Sequence, residues 1–456
     1  MSASQPTYPP FSEQEFQKNL IKRKQRSRVG QIVFFASNVI ALSLLVVLFA
    51  HIINQAFGLV VVENRVNPSE LSDRPLEELN EAELVAILIE RQPSRIAVVI
   101  RDKLSQVPNA EFTSLPLSEV LKGSHYSNDL AGLTISELTV EQRAQILSDN
   151  LSQSDIANVV LDQVVQPTIV KSWRLVPSLF ERDAIEAEVN TKYPEDTLEF
   201  RSWANWDFVS SSVSSSATTA GLRTALLGSF WIISITAVTA LILGVGAAIY
   251  LEEYARDNWI NRTIEINIRN LAAIPSVIYG MLGLAVFVRT LGHFTSGQFI
   301  GITDTNGRTA MSAGLTLALL TLPIIIVSAQ EAIRAVPNSI REASYGLGAT
   351  KLQTVFRQVV PAALPGIMTG IILSMSRAVG ETAPLLVVGA STFIGIDPDG
   401  PFSKFTVVPI QIFQWTSRPE LEFKNVAAAA IIVLLVVMVL LNGTAIILRN
   451  RFSRRF

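Results

Sequence analysis

The sequence predicts an all-α membrane protein: six transmembrane helices, with a mainly helical insert outside the bilayer between the first and the second. Three observations carry this. Of 456 residues, 49 % are apolar and only 17 % charged, and the mean hydropathy is +0.37, the balance of a membrane protein with one polar portion. Six apolar runs, each of about 20 residues or more, match the ~30 Å hydrocarbon layer. Basic residues gather on one predicted side of those runs, as the positive-inside rule requires.

Residues 1–17 are polar and proline-containing, and are expected to be disordered. Lys18, Lys22, Arg23, Lys24, Arg26 and Arg28 complete a basic tail, 1–29, ahead of the first run at 30–57. That run is too long for a signal peptide and lacks a small-residue cleavage site. It reads as an uncleaved span with the tail in the cytoplasm of a bacterial cell, at its plasma (inner) membrane. A nucleic-acid role for the basic cluster is the weaker reading, so no nucleic acid is expected as a partner.

Residues 58–220 hold 25 Asp and Glu against 13 Lys and Arg, with no run long enough to span a bilayer. They are expected outside the cell as a small folded domain. Pro75 opens an amphipathic helical stretch, and Thr139 with Gln142 has the spacing of a capping box. A strand is expected near Ile96–Ile100. The Glu77–Glu78 pair reads as a solvated helix face, not a catalytic site. The serine-rich tract 210–219 is predicted to be a flexible tether back to the membrane.

Five further spans are predicted at 224–251, 268–290, 310–328, 362–390 and 426–448, within a core at 221–449. Gly244, Gly246, Gly280, Gly283, Gly366 and Gly370 would let helices approach closely. Pro275 and Pro323 should bend their spans. Arg256, Arg262, Arg334, Arg341, Lys351, Arg357, Arg449, Arg451, Arg454 and Arg455 then fall inside, so both termini, including the tail 450–456, are expected to be cytoplasmic. The outer loop, 391–425, has a turn at 397–400. Its rings Phe402, Phe405, Phe413 and Trp415 read as an interfacial belt, or as part of an outer gate.

The segment 331–389 is the most informative, and 331–361 within it reads as a loop between two spans. Ser339 and Glu342 have capping-box spacing, so a helix is expected from Ile340, ending at Gly346 and Gly348 in left-handed conformations. Thr350 and Gln353 repeat the box for a second short helix, which Pro361 and Pro365 should stop. Glu342-Ala343-Ser344, then Gly346, then Leu364-Pro365, resembles the EAA coupling loop of importer-type ABC permeases. Leu364–Ile367 and Ser376–Leu386 resemble the PstA-type phosphate permeases within that family. Ser344 stands where the family's motif has alanine. The shortest members lack an insert like 58–220, so the resemblance covers the first span and 221–449 and leaves the insert unexplained.

The resemblance implies a permease core of the type I importer (MetI-like) kind. It also implies a coupling site at Ser339, Glu342, Ala343, Ser344, Gly346 and Gly348, with four partners: a homodimer of ATP-binding subunits, a second, PstC-like permease, an extracytoplasmic phosphate-binding protein and membrane lipid. Phosphate would be the substrate. Arg377 and Glu381 lie one helical turn apart in the fifth span, about 16 Å in from Gly366 at ~1.5 Å per residue. A central Arg costs ~2.5–3.5 kcal/mol on insertion scales. The pair is therefore a self-neutralising bridge, a contact to the partner permease, or the anion's stepping stone in the pathway. Arg269, four residues after Glu265, reads as a snorkelling residue.

No phosphate-binding loop is present in the sequence, so ATP would bind elsewhere. There is no cysteine and only three scattered histidines, which argues against thiolate chemistry, a metal cluster or a bound cofactor. A membrane enzyme is accordingly disfavoured. An ion-coupled secondary transporter, a ligand sensor, and a permease for sulfate, molybdate or an amino acid remain as alternatives.

Overall fold

A computed structural model describes residues 13–452 apart from 106, 108, 122, 195, 303–305 and 391–393, without the side chains of 13–15, 77, 109, 110 and 452. The expectations for residues 1–12, Glu77, the start of the loop at 391, Arg454 and Arg455 lie outside the described residues. The chain divides into two units, 1–54 and 55–456. The described residues of the first form one helix, α1 (Glu13–Ala56), whose side chains from Ile32 onward are almost all exposed. Its apolar surface runs all the way round, which suits lipid.

The second unit begins with β1 (Phe57–Asn64). β1 is the centre of a three-stranded antiparallel sheet with β2 (Pro167–Ser172) and β3 (Thr197–Ser202), in the order β2-β1-β3. This sheet was not anticipated, because its pairings join segments more than 100 residues apart. Between β1 and β2 lies a helical cluster. Its main elements are α2 (Glu81–Arg91), α3 (Ile96–Leu104), α4 (Val140–Asn150) and α5 (Gln153–Val160), packed on Leu84, Leu88, Ile100, Leu117 and Leu147. The expected strand at Ile96–Ile100 is therefore the start of α3. Its apolar residues, Ile96, Val99 and Ile100, repeat at helical spacing and all three are buried. The Thr139–Gln142 box is formed, whereas Pro75 precedes only a single 3₁₀ turn and α2 starts later, from the Asn80–Glu83 box. Between β2 and β3, α6 (Leu175–Phe180) and α7 (Arg182–Lys192) close one face of the sheet.

The serine-rich tract is not a tether. Ser211, Ser212, Ser214 and Thr219 are buried. Ser214 Oγ donates to Asp162 at 2.7 Å, Thr219 Oγ1 donates to the same carboxylate, and Lys103 Nζ donates to Ser212 Oγ at 2.6 Å. Burial pushes the Asp162 carboxyl up and the Lys103 ammonium down. The hydroxyl donors and the nearby opposite charges offset both effects. A composition that spells flexibility instead supplies small donors to a buried carboxylate, because a buried polar group must be bonded.

The helical core follows. α8 (Arg223–Ile249) ends in a π-helical turn, Tyr250–Tyr254. The predicted third span is not one straight helix: α9 (Trp259–Leu271) and α10 (Ser276–Gly283), the latter continued by a π segment to Thr290, meet at 108°. Pro275 cannot continue the hydrogen-bond ladder, so the bend falls there. Among the described residues five helices are therefore long and apolar enough to cross a membrane, or up to six if the bent pair counts as one span. α11 (Ala310–Arg334) carries Pro323 inside an unbroken helix. A Cβ at Gly283 or Gly370 would run into Thr316 or Ser328 of α11, so both helices approach it closely there, whereas Gly246 faces open space.

Arg223, the first residue of α8, ties the insert to this core. Its guanidinium donates to Asp155 of α5 at 3.0 Å and to Asp397 at 2.6 Å, while Thr224 Oγ1 donates to Asp397 at 2.6 Å. The turn at 397–400 is thus a clamp. Phe405 and Trp415 are core rings, each 1 % exposed, and only Phe413 of the expected aromatic belt is well exposed.

Arg223→Ala would strand two carboxylates and should cost about 2 kcal/mol, less than a fully buried pair because the site is part-exposed. Thermal unfolding of the purified protein reads the loss. In α7, hydrogen bonds from Lys171 and then Lys192 hold the Glu188 carboxyl down at about 2. Its contribution is complete above the ordinary carboxylate range and is lost as the pH falls toward that value. Glu188→Gln should flatten the stability curve in that window.

Candidate functional site

Beyond α11 the chain leaves the apolar core. Helix α12 (Asn338–Gly346) has no buried residue. The expected Ser339–Glu342 box is absent: Pro337 precedes the first turn, and no side chain caps it. Helix entry after Pro337 therefore comes two residues earlier than a Ser339 cap would set it. Gly346 stays helical, and only Gly348 adopts the left-handed conformation, at φ +79°. The Thr350–Gln353 box is formed, at 2.9 and 3.3 Å, and starts α13 (Lys351–Thr354).

That second helix does not stop at the prolines. A π turn over Val355–Val359 leads straight into α14 (Val360–Gly380), with Pro361 in its first turn and Pro365 inside it. The wider turn accommodates the missing amide of Pro361. Leu364-Pro365 therefore lies within a continuous helical run, 351–380.

Ser339, Glu342, Ala343, Gly346 and Gly348 are all exposed; Ser344 is half-buried, and its hydroxyl pairs with Thr354 Oγ1 at 2.8 Å. Around them Tyr345, Leu347, Leu352 and Phe356 are exposed too, Leu347 at 90 %. The result is a charged helix with small residues beside its acid and an apolar rim.

Arg377 and Glu381 do meet, with Nε to Oε1 at 3.1 Å. They do so at a helix break rather than inside a helix. α14 ends at Gly380, Glu381 is its C-terminal cap, and a separate short helix, α15 (Ala383–Val388), follows. The predicted span 362–390 is therefore two helices, with Pro384 in the first turn of the second. Arg377 keeps half of its side chain exposed, while Glu381 is 17 % exposed. One residue before Arg377, Ser376 Oγ donates to Asn442 of the last helix, α17 (Leu421–Phe452), which follows α16 (Val408–Ser417). Sequence reasoning passed over Asn442, although a lone amide in an otherwise apolar run was a legible signal. Arg269 pairs with Glu265 at 2.8 Å on the surface of α9.

Residues 215–456 match the family model of the binding-protein-dependent transport system inner membrane component. The chain belongs to this family. Among curated relatives, it is 33 % identical over 212 residues to the probable ABC transporter permease protein YqgI of Bacillus subtilis, covering 46 % of this chain and 67 % of the relative. It is 36 % identical over 201 residues to the phosphate transport system permease protein PstA 1 of Mycobacterium tuberculosis, covering 44 % and 61 %. To the PstA of Yersinia pestis it is 31 % identical over 236 residues, covering 52 % and 73 %. The chain thus spans about two thirds of the length of these relatives. Among solved structures, a bacterial ABC transporter that imports alginate matches at TM-score 0.40 and 14 % identity, covering 61 % of this chain and 92 % of that one. The MetNI methionine ABC transporter matches at 0.38 and 16 %, covering 51 % and 98 %. α1 and nearly all of the insert precede the matched residues of the family model.

Gly346→Ala should be neutral or slightly stabilising, since that residue is helical and a Cβ there meets nothing within 4 Å. Gly348→Ala should cost about 1–2 kcal/mol for the left-handed conformation. Thermal midpoints of the two purified variants distinguish them.

Proposed function

We propose that this chain is the transmembrane permease subunit of an ATP-driven phosphate importer, forming half of the translocation pathway. The observation that carries the reading is α12: a short charged helix with no fully buried residue, whose Glu342 side is exposed and ringed by an apolar rim. Such a surface suits a groove on a second protein. In this reading that protein is a homodimer of ATPase subunits. A second, PstC-like permease completes the pore, and an external phosphate-binding protein docks on the side of the insert. Both termini then lie in the cytoplasm, with 58–220 outside.

Closure of the ATPase dimer pushes on α12, and the push passes along the continuous run 351–380 to the break at Gly380. Arg377 sits at that break, half exposed. Its forked guanidinium matches the tetrahedral oxygens of phosphate. Glu381 orients the fork and offsets part of its charge, so that a divalent anion is passed on rather than trapped. The backbone interruption supports this role, because irregular backbone at membrane depth belongs where it lines a cavity or is covered by protein.

A second reading keeps the machinery and changes the cargo to sulfate, molybdate or an amino acid. It draws on the similarity to YqgI, a probable ABC transporter permease whose name specifies no substrate. Competition against radiolabelled phosphate in vesicles separates the two: unlabelled phosphate should displace the label, and the others should not.

Arg377→Gln should lower phosphate uptake by at least about thirtyfold, the effect of removing one partner of a desolvated charge contact, while the complex still assembles. Full transport by that variant removes the anion role. Glu342→Gln should uncouple hydrolysis from uptake, measured as phosphate moved per ATP; normal uptake by it ends the coupling role of α12.

A further inference from the structure

The far end of α8 makes a set of contacts that the coupling reading does not use. Its π-helical turn, Tyr250–Tyr254, presents three consecutive side chains to three cations that frame α12. Glu252 takes a two-pronged bond from Arg334, the last residue of α11, with Nε and Nη2 both at 2.9 Å. Glu253 accepts from Arg341, within α12 itself, with Nη2 at 2.7 Å and Nε at 3.1 Å. Tyr254 lies under the Lys351 ammonium, 5.2 Å from the ring centroid, at the start of the helix that follows α12.

These contacts differ in burial. Arg334 is exposed, but the Glu253 and Arg341 side chains are only 7 % and 15 % exposed. Arg341 spends its other donors on its own segment: Nη1 on the Val336 carbonyl at 2.7 Å and Nη2 on Ile333 at 3.0 Å. One guanidinium thus fixes the turn entering α12 and holds it against α8. Beneath the charges lies an apolar cluster of Ala248, Ile333, Val336 and Val359, with Ile340 of α12 packed on it. A buried pair whose two guanidinium nitrogens converge on one carboxylate oxygen above an apolar floor is held more tightly than an exposed pair.

We propose that Glu252, Glu253 and Tyr254 are positioning residues that weld the segment from Arg334 through α12 to Lys351 onto the end of α8, so that α8 and α12 move as one body during transport. This rests on the coupling reading and extends it. A push on α12 is delivered to two helices, forward along the run 351–380 and backward into α8. The backward path ends at Arg223, the residue that grips Asp155 of the insert and Asp397. The π turn suits the task, since its extra residue swings successive side chains toward one neighbour and such turns gather at functional positions.

The test uses the full complex in membranes. Glu253→Gln keeps the shape and loses the charge; it should lower uptake roughly tenfold while the ATPase subunit still co-purifies and hydrolyses ATP. The exposed pair allows a charge exchange: Glu252→Arg alone should impair uptake, and Arg334→Glu added to it should restore it. Because the chain has no cysteine, E252C/R334C can be bridged by a short bismaleimide. One rigid body predicts that the bridged protein still transports. Arrested transport on bridging, normal uptake by Glu253→Gln, or no rescue in the exchange would each overturn the proposal. An ATPase that never co-purifies with the wild-type chain overturns the coupling reading instead, so the two failures are distinct.

Discussion

A lipid interior offers no water to a free backbone amide or carbonyl, and the irregular parts of this helical core are arranged around that constraint. The ladder is interrupted between α9 and α10 and again between α14 and α15. At the first break the Tyr279 hydroxyl donates to the Leu271 carbonyl at 2.7 Å, and Tyr279 itself is buried. At the second, the Glu381 amide bonds back to Ala378 at 3.2 Å. The two short helices that follow the breaks, α10 and α15, pack closely on each other where Gly280 meets Pro384. The apolar cluster of Tyr279, Leu317, Leu385 and Val388 holds them against α11.

Charge is distributed by the same logic. At the insert end, Arg223, Asp155 and Asp397 pair across three segments distant in sequence. At the opposite end of α8, Glu252 and Glu253 pair with Arg334 and Arg341. Each partly buried charge meets an opposite one, since desolvation is costly unless it is compensated. Between these two zones, Arg377 and Glu381 form the ion pair at a helix break, and Arg377 remains half exposed. A cation held with spare donors at an interrupted helix differs in kind from the closed clamps at either end.

Much of this was legible in the chain. The apolar runs marked the long helices, and the boxes at Thr139 and Thr350 form as their spacing predicts, whereas the equally spaced Ser339–Glu342 pair does not, because the helix there already starts after Pro337. Arg377 and Glu381 could be paired because helical spacing sets their distance. Errors arose where the outcome depended on a distant partner. Serine-rich composition at 210–219 suggested a tether, but Asp162 and Lys103 recruit those hydroxyls from elsewhere in the chain. Phe405 and Trp415 looked like interfacial rings and became core. The strand near Ile96 was a helix whose buried face is defined by α4. Prolines were over-read as stops: Pro361 and Pro365 sit in a continuous helix because a π turn ahead of them relieves the clash.

Sequence alone determined what depends on composition and near neighbours: a helical membrane protein, the positions of its long helices, a short exposed helix after the fourth predicted span, and the proximity of Arg377 to Glu381. Local periodicity, caps and transfer free energy act over a few residues, so they can be read off the chain. Only the tertiary structure decided the β2-β1-β3 sheet, the burial of the serine tract, the folding of two predicted spans into bent or broken pairs, and the grip of Glu252 and Glu253 on α12. Each of those depends on which distant group arrives to satisfy a buried donor, acceptor or charge, and a one-dimensional pattern does not specify that arrival.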